Sequence, residues 1–272
     1  MQTLFTASRT IVALLFLLYA SWSDHKTREV SNKTWVIFAP IAFSLTFIEI
    51  CVYETSATSA LLSYGISFGL TAAFSIILFY AGAFGGADAK ALMCIALALP
   101  FYPTNIFTPL TGEPSPTLRT LFPVTVFSNA VLFAAATAIY IFFRNIIGQM
   151  RKGKKLFTEG QEKEPLGKKI LVLVTGYKMP IEKLKSKWHL YPLEDIEETS
   201  ESGFKRKLIV IPRDETRNET VERLEKAAKA GLIQDKVWAT PGLPMLIFVT
   251  AGLIIALTFG DVVWVCVRTL LG

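Results

Sequence analysis

The chain has 272 residues, of which 52% are hydrophobic and 20 are Phe, with a mean hydropathy of +0.44 and a formal net charge of +6. One soluble core of this length does not bury that much apolar surface, so a purely soluble globular enzyme is excluded and a bilayer is the natural solvent for the excess. The charge is uneven: 20 of the 28 Lys and Arg residues fall within 149–240, so a membrane body carries a basic soluble insert.

Apolar runs near the 20 residues a bilayer requires occur at Leu4–Trp22, Thr34–Tyr53, Ala57–Phe84, Ala89–Pro103, Thr120–Ile147 and Pro241–Val267. The first could pass for a secretory signal, but no positive charge precedes Arg9 and no small-residue cleavage site follows, so it reads as a retained span. The fourth is short and interrupted by Pro100, and is expected to cross only part of the bilayer or to begin below its surface. Lys26, Arg28 and Lys33 follow span one, Lys90 opens span four, and Arg144, Arg151, Lys152, Lys154 and Lys155 follow span five. By the positive-inside rule these loops are cytoplasmic and both termini face out. The expected fold is an α-helical polytopic membrane protein with six transmembrane helices and a small soluble α+β insert between helices five and six. Its parts are 1–148 (spans one to five), 149–240 (cytoplasmic domain) and 241–272 (sixth span).

Within the insert, the β-branched apolar runs Lys169–Thr175 and Lys205–Ile211 predict strands, with Trp188–Leu193 as a third candidate. Thr216 with Glu219 makes a capping box, Val221, Leu224 and Ala228 give a helical stripe, and Gly231 supplies its stop. The basic surface is expected to face lipid or water rather than nucleic acid. Cys51, Cys94 and Cys266 lie in separate apolar stretches and read as packing residues, with no disulfide framework and no metal site.

Two acids stand out because an ionisable group at the edge of a span is costly unless it is paired or functional. Asp24 follows span one, and alone it is an ordinary loop charge among Lys26 and Arg28. Asp88 ends Gly82-Ala83-Phe84-Gly85-Gly86-Ala87-Asp88-Ala89-Lys90, where three glycines interrupt the apolar pattern. Its plain reading is the N-cap of span four. Spans one and three run in the same direction, which places both carboxyls at one depth on the cytoplasmic side. Hydrolysis of a peptide bond by two carboxyls needs one ionised and one protonated, and close like charges in a poorly hydrated site share a proton in that way. A serine mechanism lacks both GxSxG and a suitable histidine, and no GK[ST] phosphate loop occurs.

These residues resemble the archaeal type IV prepilin and preflagellin (prearchaellin) peptidases, membrane aspartic peptidases of the GxGD class. The segment from Asp24 through a basic stretch to Val30-Ser31-Asn32 is similar to that family's Asp...(Ile/Val)-Pro-Asn, and Gly85 to Lys90 is similar to G-x-G-D-x-K. Lys236-Val237-Trp238-Ala239-Thr240-Pro241-Gly242-Leu243-Pro244 looks like the approach to the last span in archaeal members. Ser31 replaces the proline and Ala87 replaces the second glycine, and neither change removes a catalytic group. The resemblance implies Asp24 and Asp88 as the catalytic residues, with Gly85, Gly86, Ala87 and Lys90 supporting them. It also implies a plasma-membrane protease with its site in the cytoplasm, acting on preproteins with a basic n-region and an apolar helix. Glu29 is the candidate contact for that n-region, with a salt bridge to Lys26 or Lys33 as its plainer reading. No cofactor is expected, and the dispersed cysteines imply cleavage without N-methylation.

Two readings from other classes compete: a transporter or channel, and a membrane-anchored scaffold using the basic insert. Against conduction, no inverted repeat is visible, and Glu49, Glu54, Glu113 and Asp261 fall near the outer side with no polar chain between.

Overall fold

A computed structural model describes residues 1–112, 114–151, 156–157, 160–199, 203–210, 214–242 and 244–271. Glu113, Lys152, Lys154, Lys155, Ile211 and Leu243, which enter the sequence reading, lie outside the described residues. The chain forms two compact units, Met1–Ala134 with Pro244–Gly272, and Ala135–Leu243.

The first unit is built from α1 (Gln2–Thr27), α2 (Asn32–Tyr53), α3 (Ala57–Tyr80), α4 (Gly86–Ala98), the short α5 (Pro116–Thr120) and the first half of α6 (Phe122–Met150). It is completed by α10 (Met245–Thr258) and α11 (Val262–Leu271). Four of these helices, α1, α2, α3 and α6, are long and apolar enough to cross a membrane, and α10 with α11 makes a fifth candidate if that pair counts as one span. Their outward faces carry Leu15, Val36, Leu62, Ile66, Ile77 and Ile139 exposed, a belt suited to lipid rather than water. This is a multi-pass membrane protein.

Among the described residues, two of the six expected spans are not single long helices. The fourth run shrinks to the 13 residues of α4, and the sixth breaks at Phe259–Asp261, where the chain bends by 68° between α10 and α11. Gly260 supplies a positive φ at the bend, while Asp261 accepts from the N–H of Trp264 and the hydroxyls of Ser115 and Thr117. A 13-residue helix is about 20 Å long, shorter than the roughly 30 Å of hydrocarbon. It is tolerated because it is enclosed by protein: Ala91, Leu92, Ile95, Ala96 and Ala98 are fully buried, against Leu17 and Ala20 of α1, Phe38 and Ala42 of α2, and Leu253 of α10.

Two further features fix this packing. The α3 face turned inward is polar and small (Tyr64, Ser67, Thr71 and Ser75 are all buried), which allows close approach to α4. Helix α10 crosses α6 at Gly252, where an added Cβ would lie 2.5 Å from the Val126 carbonyl oxygen and 2.9 Å from the Ala130 nitrogen. Overpacking of this kind costs about 1–3 kcal/mol. Gly252→Ala is therefore expected to lower the thermal midpoint in detergent, and an unchanged midpoint would refute the close crossing.

The second unit is a small α+β domain. Its elements are α7 (Leu166–Thr175), β1 (Tyr177–Pro180), α8 (Ile181–Ser186), β2 (Tyr191–Pro192), β3 (Glu194–Thr199), β4 (Gly203–Leu208), α9 (Asp214–Lys229) and β5 (Lys236–Thr240). Strand β5 lies between β1 and β2, antiparallel to both, with Met179 opposite Val237 and Pro192 opposite Ala239; β3 and β4 form a separate hairpin. Met179, Leu184, Ile196, Val221, Leu224 and Val237 make the core.

One expected strand is wrong. Lys169–Thr175 lies in helix α7, which buries Val172 and Leu173; Asn145 donates to the carbonyls of Leu173 and Gly176, capping the helix from outside. The Lys205–Ile211 strand is present as β4, and Trp188–Leu193 contains only the two-residue β2. The Val221–Leu224–Ala228 stripe lies on α9, which starts at Asp214, ahead of the expected cap at Thr216. Gly231, at φ 73°, follows its end as expected.

Candidate active site

Helix α1 runs five residues beyond the predicted end of span one, so Asp24 occupies its last turn rather than a loop. The helix stops where Arg28 adopts a left-handed conformation (φ 59°) and returns its N–H to the Asp24 carbonyl at 2.9 Å. The turn that follows is pinned from both sides, because the hydroxyls of Ser23 and Thr27 donate to the Glu29 carbonyl at 2.8 and 3.0 Å. Ser31 then caps α2, accepting from the Lys33 N–H at 3.3 Å. The serine that departs from the family's proline thus performs the ordinary work of an N-cap. The Glu29 side chain is exposed and makes no ion pair among the described residues.

The glycine-rich segment has distinct roles at each position. Gly82 sits at φ 73°, turning the chain out of α3, a conformation a side chain would resist. Gly85 caps α4 and donates its N–H to Asp88 Oδ2 at 3.0 Å, so Asp88 is the third residue of the helix rather than its cap. A Cβ at Gly85 would stand 3.1 Å from that carboxylate oxygen, so a side chain there would press the acid aside by a few tenths of an ångström. Gly86 has room, 3.6 Å from Phe79, and the Ala87 methyl packs on the membrane core, so alanine serves where the family motif has glycine.

Asp24 and Asp88 are both partly buried. They approach from the last turn of α1 and the first turn of α4, two helices in contact. A residue missed by sequence reading completes the site. Lys90 Nζ donates to Asn32 Oδ1 at 2.7 Å, joining the second turn of α4 to the first turn of α2. Both belong to the motif segments, but neither spacing nor charge shows that they meet. If this bond holds the two aspartate-bearing segments together, Lys90→Met and Asn32→Ala should each lower peptide cleavage about tenfold, and the double variant should be no worse than either single one. Multiplying losses would show that the residues act separately.

Residues 11–148 match the model of the type IV leader peptidase family, and residues 168–262 match that of the archaeal peptidase A24 C-terminus, type II. Three relatives are preflagellin peptidases. That of Methanococcus voltae is 28% identical over 92% of this chain and 94% of its own. That of Methanococcus maripaludis is 24% identical over 92% and 94%, and that of Methanocaldococcus jannaschii 24% identical over 92% and 93%.

Proposed function

Because the chain belongs to the type IV leader peptidase family, with a family match over half its length, we propose that it is a membrane aspartic endopeptidase removing the basic leader of type IV prepilin-like or archaellin precursors. Asp24 and Asp88 are its catalytic pair. The observation that carries this reading is the position of the two acids in the end turns of two helices in contact, beside the Lys90–Asn32 tie.

The chemistry follows from one proton shared by two carboxyls. The ionised carboxylate takes a proton from water as its oxygen attacks the scissile carbonyl, while the protonated partner gives its proton to the carbonyl oxygen. The first carboxyl, now protonated, gives its proton to the leaving amine while the other carboxylate takes one from a hydroxyl of the collapsing tetrahedral adduct, and the pair is again singly protonated. Two carboxyls and a water suffice, so no cofactor is invoked. Nothing in this chemistry methylates the new N-terminus, and the three cysteines have no CxxC pairing.

Lys26, Arg28, Lys33 and Lys90 lie in the chain segments that carry the two acids, which favours a cytoplasmic position for this end of the bundle and external termini. The insert is then cytoplasmic as well. A substrate helix held in the bilayer presents the junction with its n-region at the level of the pair, and the exposed Glu29 attracts the Lys and Arg of that n-region. Membranes bearing this protein should cleave a tagged preflagellin, and Asp24→Ala or Asp88→Ala membranes should not; survival of cleavage in either variant refutes the pair. A cysteine placed at Glu29 should react with impermeant reagents from the cytoplasmic side, and labelling from outside would overturn the orientation.

A further inference from the structure

We propose that the buried Arg9–Glu49 pair, together with Thr46, Tyr64 and Ser67, is a seat that fixes the position of α4 along its axis and thereby places Asp88. The proposal rests on the reading of Asp88 as catalytic, and it concerns positioning residues at the opposite end of the helix from the acid.

A helix ends with four carbonyls that have no partner within it. In a short helix enclosed by a membrane bundle those carbonyls are far from water and must be met by neighbouring side chains. In α4 the last two are met by side chains from three helices. Leu97 O accepts from Thr46 Oγ1 of α2 at 2.7 Å and from Tyr64 OH of α3 at 3.2 Å. Ala98 O accepts from Arg9 Nη1 of α1 at 3.0 Å and from Thr46 Oγ1 at 3.2 Å. Just past the end, Pro100 O accepts from Ser67 Oγ of α3 at 3.1 Å. The donors are sequestered: Thr46 is 0%, Ser67 1% and Tyr64 5% exposed.

The guanidinium brings a positive charge to this helix end, the sign that suits a helix C-terminus. Its own charge is balanced by Glu49, whose Oε2 lies 2.7 Å from Arg9 Nε. Glu49 Oε1 accepts from Thr6 Oγ1 at 2.7 Å, and Thr6 Oγ1 in turn accepts from Asn105 Nδ2 at 2.8 Å. The pair is therefore a built, neutralised group and not a stray charge. Glu49, one of the acids the sequence puts near the outer side, is thus held in an ion pair.

The link to Asp88 is mechanical. No Gly or Pro interrupts α4 between Asp88 and Ala98, a distance of about 15 Å along the axis, so the helix moves as a rod. Bonds to Leu97 and Ala98 fix one end, and Lys90–Asn32 fixes the other. The bonds to the far end resist sliding along the axis, because Thr46 bridges two successive carbonyls and Arg9 and Tyr64 approach them from different sides.

The test removes the hydroxyls while keeping the shapes: Thr46→Val/Tyr64→Phe. In cleavage of a tagged preflagellin its kcat should fall at least tenfold with KM within twofold of wild type, and Thr46→Ser should retain wild-type kcat. The second readout does not depend on activity. A cysteine at Ala87, in a background of Cys51→Ser and Cys266→Ser, is reacted with a water-soluble maleimide in nanodiscs, where both faces are open. The double variant should change its labelling rate at least threefold, and Thr46→Ser should not. Unchanged labelling, with any loss of activity following only a lower thermal midpoint, would reduce the network to a stability role and overturn the proposal. If even the wild type fails to cleave, the peptidase reading fails, while labelling still decides whether the seat positions α4.

Discussion

Asp88→Asn is expected to reduce cleavage by on the order of 10³-fold while leaving the fold intact. General acid–base participation by one side chain is worth about 10²–10⁴-fold, and in a pair sharing a proton both functions fail together. Asparagine retains the shape and an acceptor oxygen for the Gly85 N–H that now reaches Asp88 Oδ2, so the cap of α4 survives. The thermal midpoint should therefore stay near that of wild type, which separates chemistry from folding. Asp88→Ala loses the cap bond as well. A cleavage rate within tenfold of wild type for Asp88→Asn would remove this residue from the mechanism.

The second large effect lies in the insert, where Glu194→Ala should remove a large share of the domain's stability. Glu194 is 0% exposed and its carboxylate faces Arg206 Nη2, which donates to both oxygens at 2.9 Å. The Trp238 N–H also donates to it at 3.1 Å, and so does Gln161. Substitution by alanine removes the carboxylate that balances a buried guanidinium, a change that costs about 3–5 kcal/mol against a total stability of about 5–15 kcal/mol for a domain. Limited proteolysis of Glu194→Ala membranes should cut within 135–243 where the wild type resists. By comparison Lys207–Glu197, an exposed pair, contributes at most about 1 kcal/mol, and Glu197→Ala should leave proteolysis unchanged.

The parts of the fold that the sequence disclosed are those governed by composition and period. Four long apolar spans, the α9 stripe at Val221 and Leu224, and the hairpin strand at Lys205 all follow from hydrophobic patterning. The parts it hid depend on partners distant in the chain. Lys169–Thr175 is β-branched and looks like a strand, yet Asn145 caps its last carbonyls and it becomes a helix. The length of α4 depends on donors from residues 9, 46 and 64, none of which shows an interest in residue 98 from its local sequence. Within the site, the Asp88 segment was legible because glycines mark special geometry. Asp24 was placed only through its direction of travel, and Asn32 was hidden because its bond to Lys90 spans 58 positions.

The central claim, that Asp24 and Asp88 act as one unit, is tested most directly by comparing Asp24→Asn, Asp88→Asn and the double variant for cleavage of the same tagged preflagellin in the same membranes. Groups that act together lose their contribution together. All three variants should fall to one common residual rate, with no further loss in the double. A single variant that keeps near-wild-type cleavage, or a double variant whose loss is the product of two partial losses, would contradict it.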